Sequence, residues 1–250
     1  MPYILDHRIR YCEVDQCFRF QLGALFQLLH EATTEHWKLL GTGMREQQSS
    51  GYAWAVRKIA LRLWRLPEYD EQLSVSTWIQ QYNKITMYRD FGITVRGKEV
   101  AAASSEWVCM DLRHRKIHRN PPPVSPNSLL ERSDGLDQEL QQWTSPREIP
   151  AECTVEIRVR SADFDSNGHV NNATYFEYLD TLLVQCDETV PVPLHLNMHF
   201  TREIAPDTSV VTLGLMASER CRYFKIYHRD TVYALGEILN PAEEYSEVAL

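Results

Sequence analysis

Ten residues carry most of the chemistry this chain could do: Asp163-Phe164-Asp165-Ser166-Asn167-Gly168-His169-Val170-Asn171-Asn172. They place two carboxylates, three amides and an imidazole side by side. Immediately afterwards Tyr175, Phe176, Tyr178, Leu179, Leu182, Leu183 and Cys186 recur at helical spacing. Asn171 and Asn172 stand where an N-cap belongs. A polar, acid-bearing loop therefore feeds the start of a mostly apolar helix, a geometry suited to a carbonyl. Backbone N–H groups at the helix start can hold a developing oxyanion, and a nearby carboxylate can activate water or attack. The plainer alternative is a polar loop with a capping Asn cluster, because Asn and Asp commonly serve caps and turns.

The elements that must position this loop come in two similar sets. In the first half, Tyr3–Leu5 and Ile9–Val14 read as a short strand. A helix from about Leu22 carries Leu25, Phe26, Leu29, Ala32, Trp37 and Leu40, and Gly41 is its natural stop. Gly43–Gly51 reads as a polar loop. Four long strands follow: Tyr52–Leu66, ended by Pro67, then Leu73–Tyr82, Ile85–Arg96 and Glu99–Leu112, with a turn at Gly97-Lys98. Between about Asn120 and Ala151, Pro121-Pro122-Pro123, Pro126, Ser133-Asp134-Gly135, Pro146 and Pro150 mark a linker. The second half restarts with a strand at Cys153–Val159, the polar loop and its helix. Strands at Leu194–Thr201, Ser209–Ala217, Tyr223–Arg229 and Thr231–Leu239 follow. The expected domains are 1–120, a linker over 121–150, and 151–250. Each is an antiparallel sheet wrapped around one helix, an α+β arrangement.

The repeat is faint in the residues. Ile9 aligned on Ile157, a shift of 148 positions, sets Asp15 on Asp163, Cys17 on Asp165, Arg19 on Asn167 and Gln21 on His169. In that register the first copy keeps the architecture but loses the acid, amide and imidazole, and is left to hold substrate.

Composition bounds the alternatives. The 250 residues are 44% hydrophobic and carry a formal net charge of −8 from 26 basic and 34 acidic side chains. That size allows one large or two modest domains, and the charge argues against a general nucleic-acid binder. The six cysteines, at 12, 17, 109, 153, 186 and 221, form no C-x-x-C pair and read as reduced thiols in a cytosolic protein. No apolar run approaches a membrane span, and Met1-Pro2-Tyr3 onward has no signal-peptide pattern.

Asp165-Ser166-Asn167-Gly168-His169-Val170-Asn171-Asn172, followed by Tyr175, resembles the signature of acyl-acyl carrier protein thioesterases, the plant plastid enzymes and their bacterial relatives. The resemblance extends through Trp54–Pro67, Thr77-Trp78, Arg89-Asp90 and Ala103–Val108, and covers about Ile4 to Ala217. It implies two tandem hotdog domains, the first binding the acyl chain and the second catalytic. It also implies hydrolysis of fatty acyl carrier protein to free fatty acid, ending chain elongation in fatty acid biosynthesis. By that resemblance Asp165, Asn167 and His169 are site residues. Phe200-Thr201-Arg202-Glu203-Ile204 matches the segment holding the second carboxylate, which makes it Glu203. The next position, often Cys in plant members, is Ile204, so no thiol acts there.

The roles that follow place Asp165 and Glu203 as the carboxylates, one acting as general base or nucleophile. Asn167 positions water or a carboxylate, His169 orients a carboxylate, and N–H groups of Val170, Asn171 and Asn172 receive the oxyanion. Two neighbouring carboxylates tend to raise one another's pKa, which suits a base near neutral pH. Without the resemblance, Glu203 is a turn acid before Pro206, and Asp163 reads as structural. No transit segment precedes Tyr3, so the resemblance implies a cytoplasmic, bacterial-type member. No cofactor or metal is implied: His195 and His199 lie on a strand with no third ligand, and His30-Glu31 with Glu35-His36 reads as a solvated helix face rather than a zinc motif.

The implied partner, acyl carrier protein, is acidic. Arg113, Arg115, Lys116 and Arg119, with His114 and His118, form one candidate docking cluster, and Arg57, Lys58, Arg62 and Arg65 form another. Leu25, Leu29, Trp54, Val56 and Trp78 are candidate acyl-chain lining, although core packing explains such spacings as well. An acyl- or aryl-CoA thioesterase and a non-catalytic acyl-binding protein are the competing functions, and both monomer and homodimer are open.

Overall fold

In the computed structural model, the described residues are 2–83, 85–118, 121, 129, 136–146, 148–186, 192–218 and 221–239. Eleven strands among them form one antiparallel sheet: β1 (Tyr3–Arg8), β2 (Tyr52–Leu63), β3 (Gln72–Asn83), β4 (Thr86–Val95), β5 (Lys98–Asp111), β6 (Lys116–Ile117), β7 (Cys153–Arg158), β8 (Leu194–Phe200), β9 (Val210–Ala217), β10 (Cys221–His228) and β11 (Thr231–Leu239). Their order is β1-β3-β4-β5-β2-β8-β11-β10-β9-β7, with β6 on β5. Each half contributes the same five-strand pattern, and the halves join where β2 pairs with β8 (Ile59 opposite Met198, Leu61 opposite Leu196). No described helix is long and apolar enough to cross a membrane.

The long helices α1 (Leu22–Leu39) and α4 (Thr174–Gln185) bury their apolar stripes on one face of this sheet. Leu25, Phe26, Leu29 and Ala32 from α1 meet Tyr175, Phe176, Leu179 and Leu182 from α4 in a single core. Phe26 and Phe176 stack with ring centroids 3.3 Å apart. Gly23 makes this closeness possible, because a Cβ there would lie 2.5 Å from Glu177 Cγ. Burying each phenyl ring contributes roughly 2–3 kcal/mol.

Several expected elements differ. Ile9–Val14 is not strand: Tyr11–Glu13 form a 3₁₀ turn, because the Glu13 carboxylate accepts the Arg10 N–H (2.8 Å) and folds the chain back. The polar stretch after Gly43 contains a short helix, α2 (Met44–Ser49), held by the buried Gln47. That side chain donates to the Thr42 carbonyl (2.8 Å) and accepts the Trp54 N–H (3.0 Å). The β4–β5 turn is Arg96-Gly97, both at positive φ (52° and 78°). Within the expected linker lies α3 (Leu136–Gln142). Its Leu136 and Leu140, one helical turn apart, sit on Ala60 and Ala102 on the sheet face opposite the long helices. The small alanines give a flat seat.

The cysteines are not all thiols. Cys153 at the start of β7 and Cys186 at the end of α4 are joined by a disulfide, while Cys12, Cys17, Cys109 and Cys221 are free. Residues 33 apart in sequence meet here because α4 returns across β7, which spacing alone does not reveal.

The register of the repeat is also different: the shift is 150, not 148. Asp15 accepts the Cys17 N–H (2.8 Å) as Asp165 accepts the Asn167 N–H (2.8 Å). The N–H of Asp15 bonds the Arg19 carbonyl as that of Asp165 bonds the His169 carbonyl. The bridge Val14–Phe20 matches Phe164–Val170. Asp15 is thus the counterpart of Asp165 and the first copy keeps the acid. Cys17, Phe18 and Arg19 replace Asn167, Gly168 and His169.

Candidate active site

The polar loop is anchored before it does any chemistry. Asp163 closes a 3₁₀ turn (Ser161–Asp163) and receives the Arg160 N–H and Nε (both 2.8 Å) and the Tyr178 hydroxyl (2.6 Å). Burial pushes its pKa up, but these three donors outweigh burial and hold it below the ordinary carboxyl value. Asp165 then opens a tight turn: its Oδ1 accepts the Asn167 N–H, and Asn167 Nδ2 lies 3.4 Å from its Oδ2. Gly168 takes φ 79°, where a side chain is strained. The turn projects Asp165, Asn167 and His169 toward one side.

His169 lies between the two expected carboxylates. Its Nδ1 is 3.8 Å from Asp165 Oδ1, and its Nε2 is 3.9 Å from Glu203 Oε2. Both separations exceed hydrogen-bond length, so the imidazole stands between the carboxylates without bonding either. Glu203 is placed by its neighbour: Val170 N–H donates to the Ile204 carbonyl (3.1 Å), and the Ile204 side chain is fully buried. Two first-half groups complete the rim. Gln48 Nε2 on α2 donates to Asn167 Oδ1 (3.3 Å), and Arg115, in the β5–β6 turn, is ion-paired with Glu203.

Of the three expected oxyanion donors, two are already committed. Val170 N–H is bonded to Ile204, and Asn171 N–H to the Asp163 carbonyl (2.8 Å). A helix start needs its early N–H groups free to bind an anion, and the turn consumes these. Asn171 instead closes the turn ahead of the helix, its Oδ1 accepting the Ala173 N–H (2.9 Å). Asn172 N–H has no partner among the described residues, and Asn172 and Ala173 line a small cavity of about 40 Å³. The cavity runs between the two long helices and the sheet, past Phe26, Leu29, Val56, Ile59 and Phe176.

Leu29 and Val56 therefore fall on the cavity as expected, and three other expected lining residues do not. Leu25 is turned into the core, beside the α1 face formed by Phe26, Leu29, His30 and Thr33. Trp54 belongs to a separate cluster, stacked on Trp37 at 6.1 Å. Trp78 lies on the far face of the sheet, because Leu73, Val75 and Ile79 point inward and strand alternation sends Trp78 outward. His36 is not on a solvated face: it is buried, with Nδ1 2.9 Å from Nη1 of Arg89. Burial lowers the fully buried Arg89 guanidinium to about 9.

His30 also leaves the expected solvated face. It lines the cavity opposite Asn172 and Ala173, with its ring 6.4 Å from Trp107. Burial lowers its pKa, with Asp165 and His169 close enough to contribute. Helical spacing could have flagged it, since His30 continues the Phe26–Leu29–Thr33 face.

The basic clusters resolve differently too. Arg113 and Lys116 are exposed at the β5–β6 turn, whereas Arg115 is committed to Glu203. Arg119 lies outside the described residues. The second cluster is tied down: Arg57 pairs with Glu106, Arg62 with Glu139 and Arg65 with Glu71, and Lys58 donates to the Trp143 carbonyl (2.8 Å). Charges neutralised by neighbours offer little to a partner.

Two hotdog repeats fused through one sheet, with a carboxylate–amide–imidazole loop at an apolar cavity, define the class. Residues 3–125 match the model of the acyl-ACP thioesterase N-terminal domain, and residues 147–244 that of the acyl-ACP thioesterase C-terminal domain. The chain belongs to the acyl-ACP thioesterase family. Among curated proteins it is 23% identical over 180 residues to oleoyl-acyl carrier protein thioesterase 1 of Arabidopsis thaliana, covering 66% of this chain and 49% of that protein. It is 26% identical over 207 residues to a palmitoyl-acyl carrier protein thioesterase of Cuphea hookeriana, covering 75% and 48%. The chain thus spans about half the length of these relatives. Among solved structures, a candidate oleoyl thioesterase from Lactobacillus plantarum matches with a TM-score of 0.80 at 26% identity, covering 97% of this chain and 98% of that one. The 12:0-ACP thioesterase from Umbellularia californica has the same fold, with a TM-score of 0.82 at 20% identity, covering 95% and 96%.

Proposed function

We propose that this protein hydrolyses fatty acyl thioesters carried on acyl carrier protein, releasing free fatty acid and holo-carrier. The observation that carries the reading is the Asp165–His169–Glu203 constellation on the loop whose last residue, Asn172, lines an apolar cavity built by both halves. A thioester needs an activated oxygen and a cradle for the carbonyl oxygen, while its thiolate leaves with little assistance. Both Asp165 oxygens face Asn167 donors, which fixes the carboxylate and suits it to drawing a proton from water rather than swinging in to attack. Glu203 acts on Asp165 through His169. The water oxygen adds to the carbonyl, the oxyanion forms against the Asn172 N–H, and collapse breaks the C–S bond. The proton taken by Asp165 goes to the departing thiolate.

Hydrolysis assays on purified protein test this, with matched acyl-carrier and acyl-CoA substrates of several chain lengths. The expected outcome is turnover of the carrier-bound set, abolished in Asp165→Asn and Glu203→Gln. Turnover of CoA thioesters alone assigns the protein to the CoA enzymes, and tight acyl binding without turnover makes it a binding protein. Carrier docking rests on Arg113 and Lys116. Charge reversal at both should raise KM for the carrier substrate about tenfold and leave a small thioester unaffected. Arg115 is unsuited to that test, because its loss also releases Glu203.

A further inference from the structure

The two halves of the molecule present the same helix start to opposite fates. In the first half, Leu22 and Gly23 are the counterparts of Asn172 and Ala173 under the shift of 150. The carboxyl group of Asp180 on α4 sits against them: Gly23 N–H lies 3.5 Å from Oδ2, and the Leu22 N–H is near enough to oppose the rise of the carboxyl pKa. Asp180 is itself the counterpart of His30. The relation is exact at the helix pair, where Phe26 stacks on its own counterpart Phe176 and Gln27 bonds its counterpart Glu177 (2.9 Å). The first copy therefore shows what this helix start binds when a group is supplied: a carboxyl oxygen held between the helix start and the helix facing it. In the second copy the Ala173 N–H is taken by Asn171 Oδ1, the Asn172 N–H has no partner among the described residues, and the position of Asp180 is held by His30, which lines the cavity with Asn172.

We propose that His30 is a further catalytic residue, whose imidazole joins the Asn172 N–H in holding the thioester carbonyl oxygen through the tetrahedral step. The inference rests on the thioesterase reading above and assigns a role within that site. Neither ring nitrogen of His30 makes a hydrogen bond to a described residue, so one N–H is available to a ligand. Burial keeps the ring neutral, one nitrogen a donor and the other an acceptor. A carboxyl group held as Asp180 is would occupy the oxyanion position itself, whereas a neutral imidazole leaves it open and donates into it. As the water oxygen adds, the carbonyl electron pair moves onto the oxygen between His30 and Asn172. It returns when the C–S bond breaks.

The test compares His30→Ala, His30→Gln and His30→Asp in the full chain on acyl-carrier substrate. His30→Ala should lower kcat about 100-fold with KM little changed, the pattern of a lost oxyanion donor. His30→Gln, which keeps an N–H donor, should recover most of that loss. His30→Asp reproduces the first-half plug and should be the slowest. A folded His30→Ala with kcat within about twofold of wild type overturns the proposal, as does His30→Gln no better than His30→Ala. Should the variants fold poorly, wild-type protein with an acyl trifluoromethyl ketone gives an independent reading. The His30 imidazole N–H resonance should move downfield on binding, and an unmoved resonance overturns the assignment. Wild type that turns over no thioester removes the thioesterase reading, whereas active wild type indifferent to His30→Ala removes this inference alone.

Discussion

Asp15 and Asp165 open the same turn 150 residues apart, and only the second turn leads to a cavity-lining residue, Asn172. Each accepts the N–H two residues on, each turn has a positive-φ residue at its tip (Phe18, 61°; Gly168, 79°), and each leads into a long helix. They part at the fifth position. Arg19 pairs with Asp15 at 2.9 Å and neutralises it, whereas His169 stands between Asp165 and a second carboxylate. They part again across the helix pair, where Asp180 fills one helix start and His30 faces the other. The comparison separates what the turn needs from what the chemistry needs. The Asp and its accepted N–H belong to the turn. On the proposed mechanism, the imidazole, the second carboxylate and the unpartnered Asn172 N–H belong to the site.

The sharpest test replaces each Asp by Asn, which can still accept the turn hydrogen bond. Asp165→Asn should lower kcat/KM by about 10³-fold at nearly unchanged thermal midpoint, as expected on losing a general base. Asp15→Asn should leave turnover intact. Equal losses in the two variants would mean that the acids serve only the fold.

A smaller effect concerns pH, where the facing residues Asp180 and His30 act with opposite sign. Burial raises the Asp180 carboxyl to about 7, with the Leu22 and Gly23 N–H groups opposing the shift and Glu177 and Asp15 adding to it. The folded state then keeps a proton that the unfolded chain releases near 3.8, so stability falls as pH rises between those values, by on the order of 4 kcal/mol. Burial lowers His30 from 6.5, so the unfolded chain protonates first and stability falls as pH drops below that value. Urea midpoints between pH 5 and 8 should show the neutral-side decline flattened in Asp180→Asn and the acid-side decline flattened in His30→Gln. An Asp180→Asn profile identical to wild type would remove the first assignment.

The smallest expected difference is at the tip of the turn. Gly168→Ala places a Cβ at φ 79° and should cost about 1 kcal/mol. Phe18→Ala, at a position already occupied by a non-glycine residue, should change stability by less than about 0.5 kcal/mol. Calorimetric midpoints of the two variants decide it.

Much of this was legible before any coordinates. The long strands and both long helices announce themselves because alternation and 3.6-residue spacing repeat over many residues. The short polar helix α2 and α3 in the proline-punctuated linker do not: each buries too few apolar residues to leave a period. The repeat was legible as an architecture and misaligned by two residues, because the apolar pattern before the first loop matches equally well in either register. Only the paired hydrogen bonds of Asp15 and Asp165 distinguish them. Asp165, Asn167, His169 and Glu203 were found as a motif, and Leu29 and Val56 as lining. Trp78 was misplaced because a tryptophan advertises burial without saying on which face, and His36 and His30 because a histidine between acids looks solvated.

By itself, the sequence determined the family, the two-part architecture and the polar loop proposed as the site, since these reside in local spacing and in contiguous motif residues. The tertiary structure decided everything that depends on which distant groups meet. Glu203 and Arg115 come to the loop through the β-sheet, Gln48 through α2, and His30 across the helix pair. Cys153 finds Cys186 where α4 returns over β7. It also decided that one helix start is filled and the other open, because that turns on whether position 180 or position 30 carries the carboxylate, and each acts on a loop more than 130 residues away in the chain.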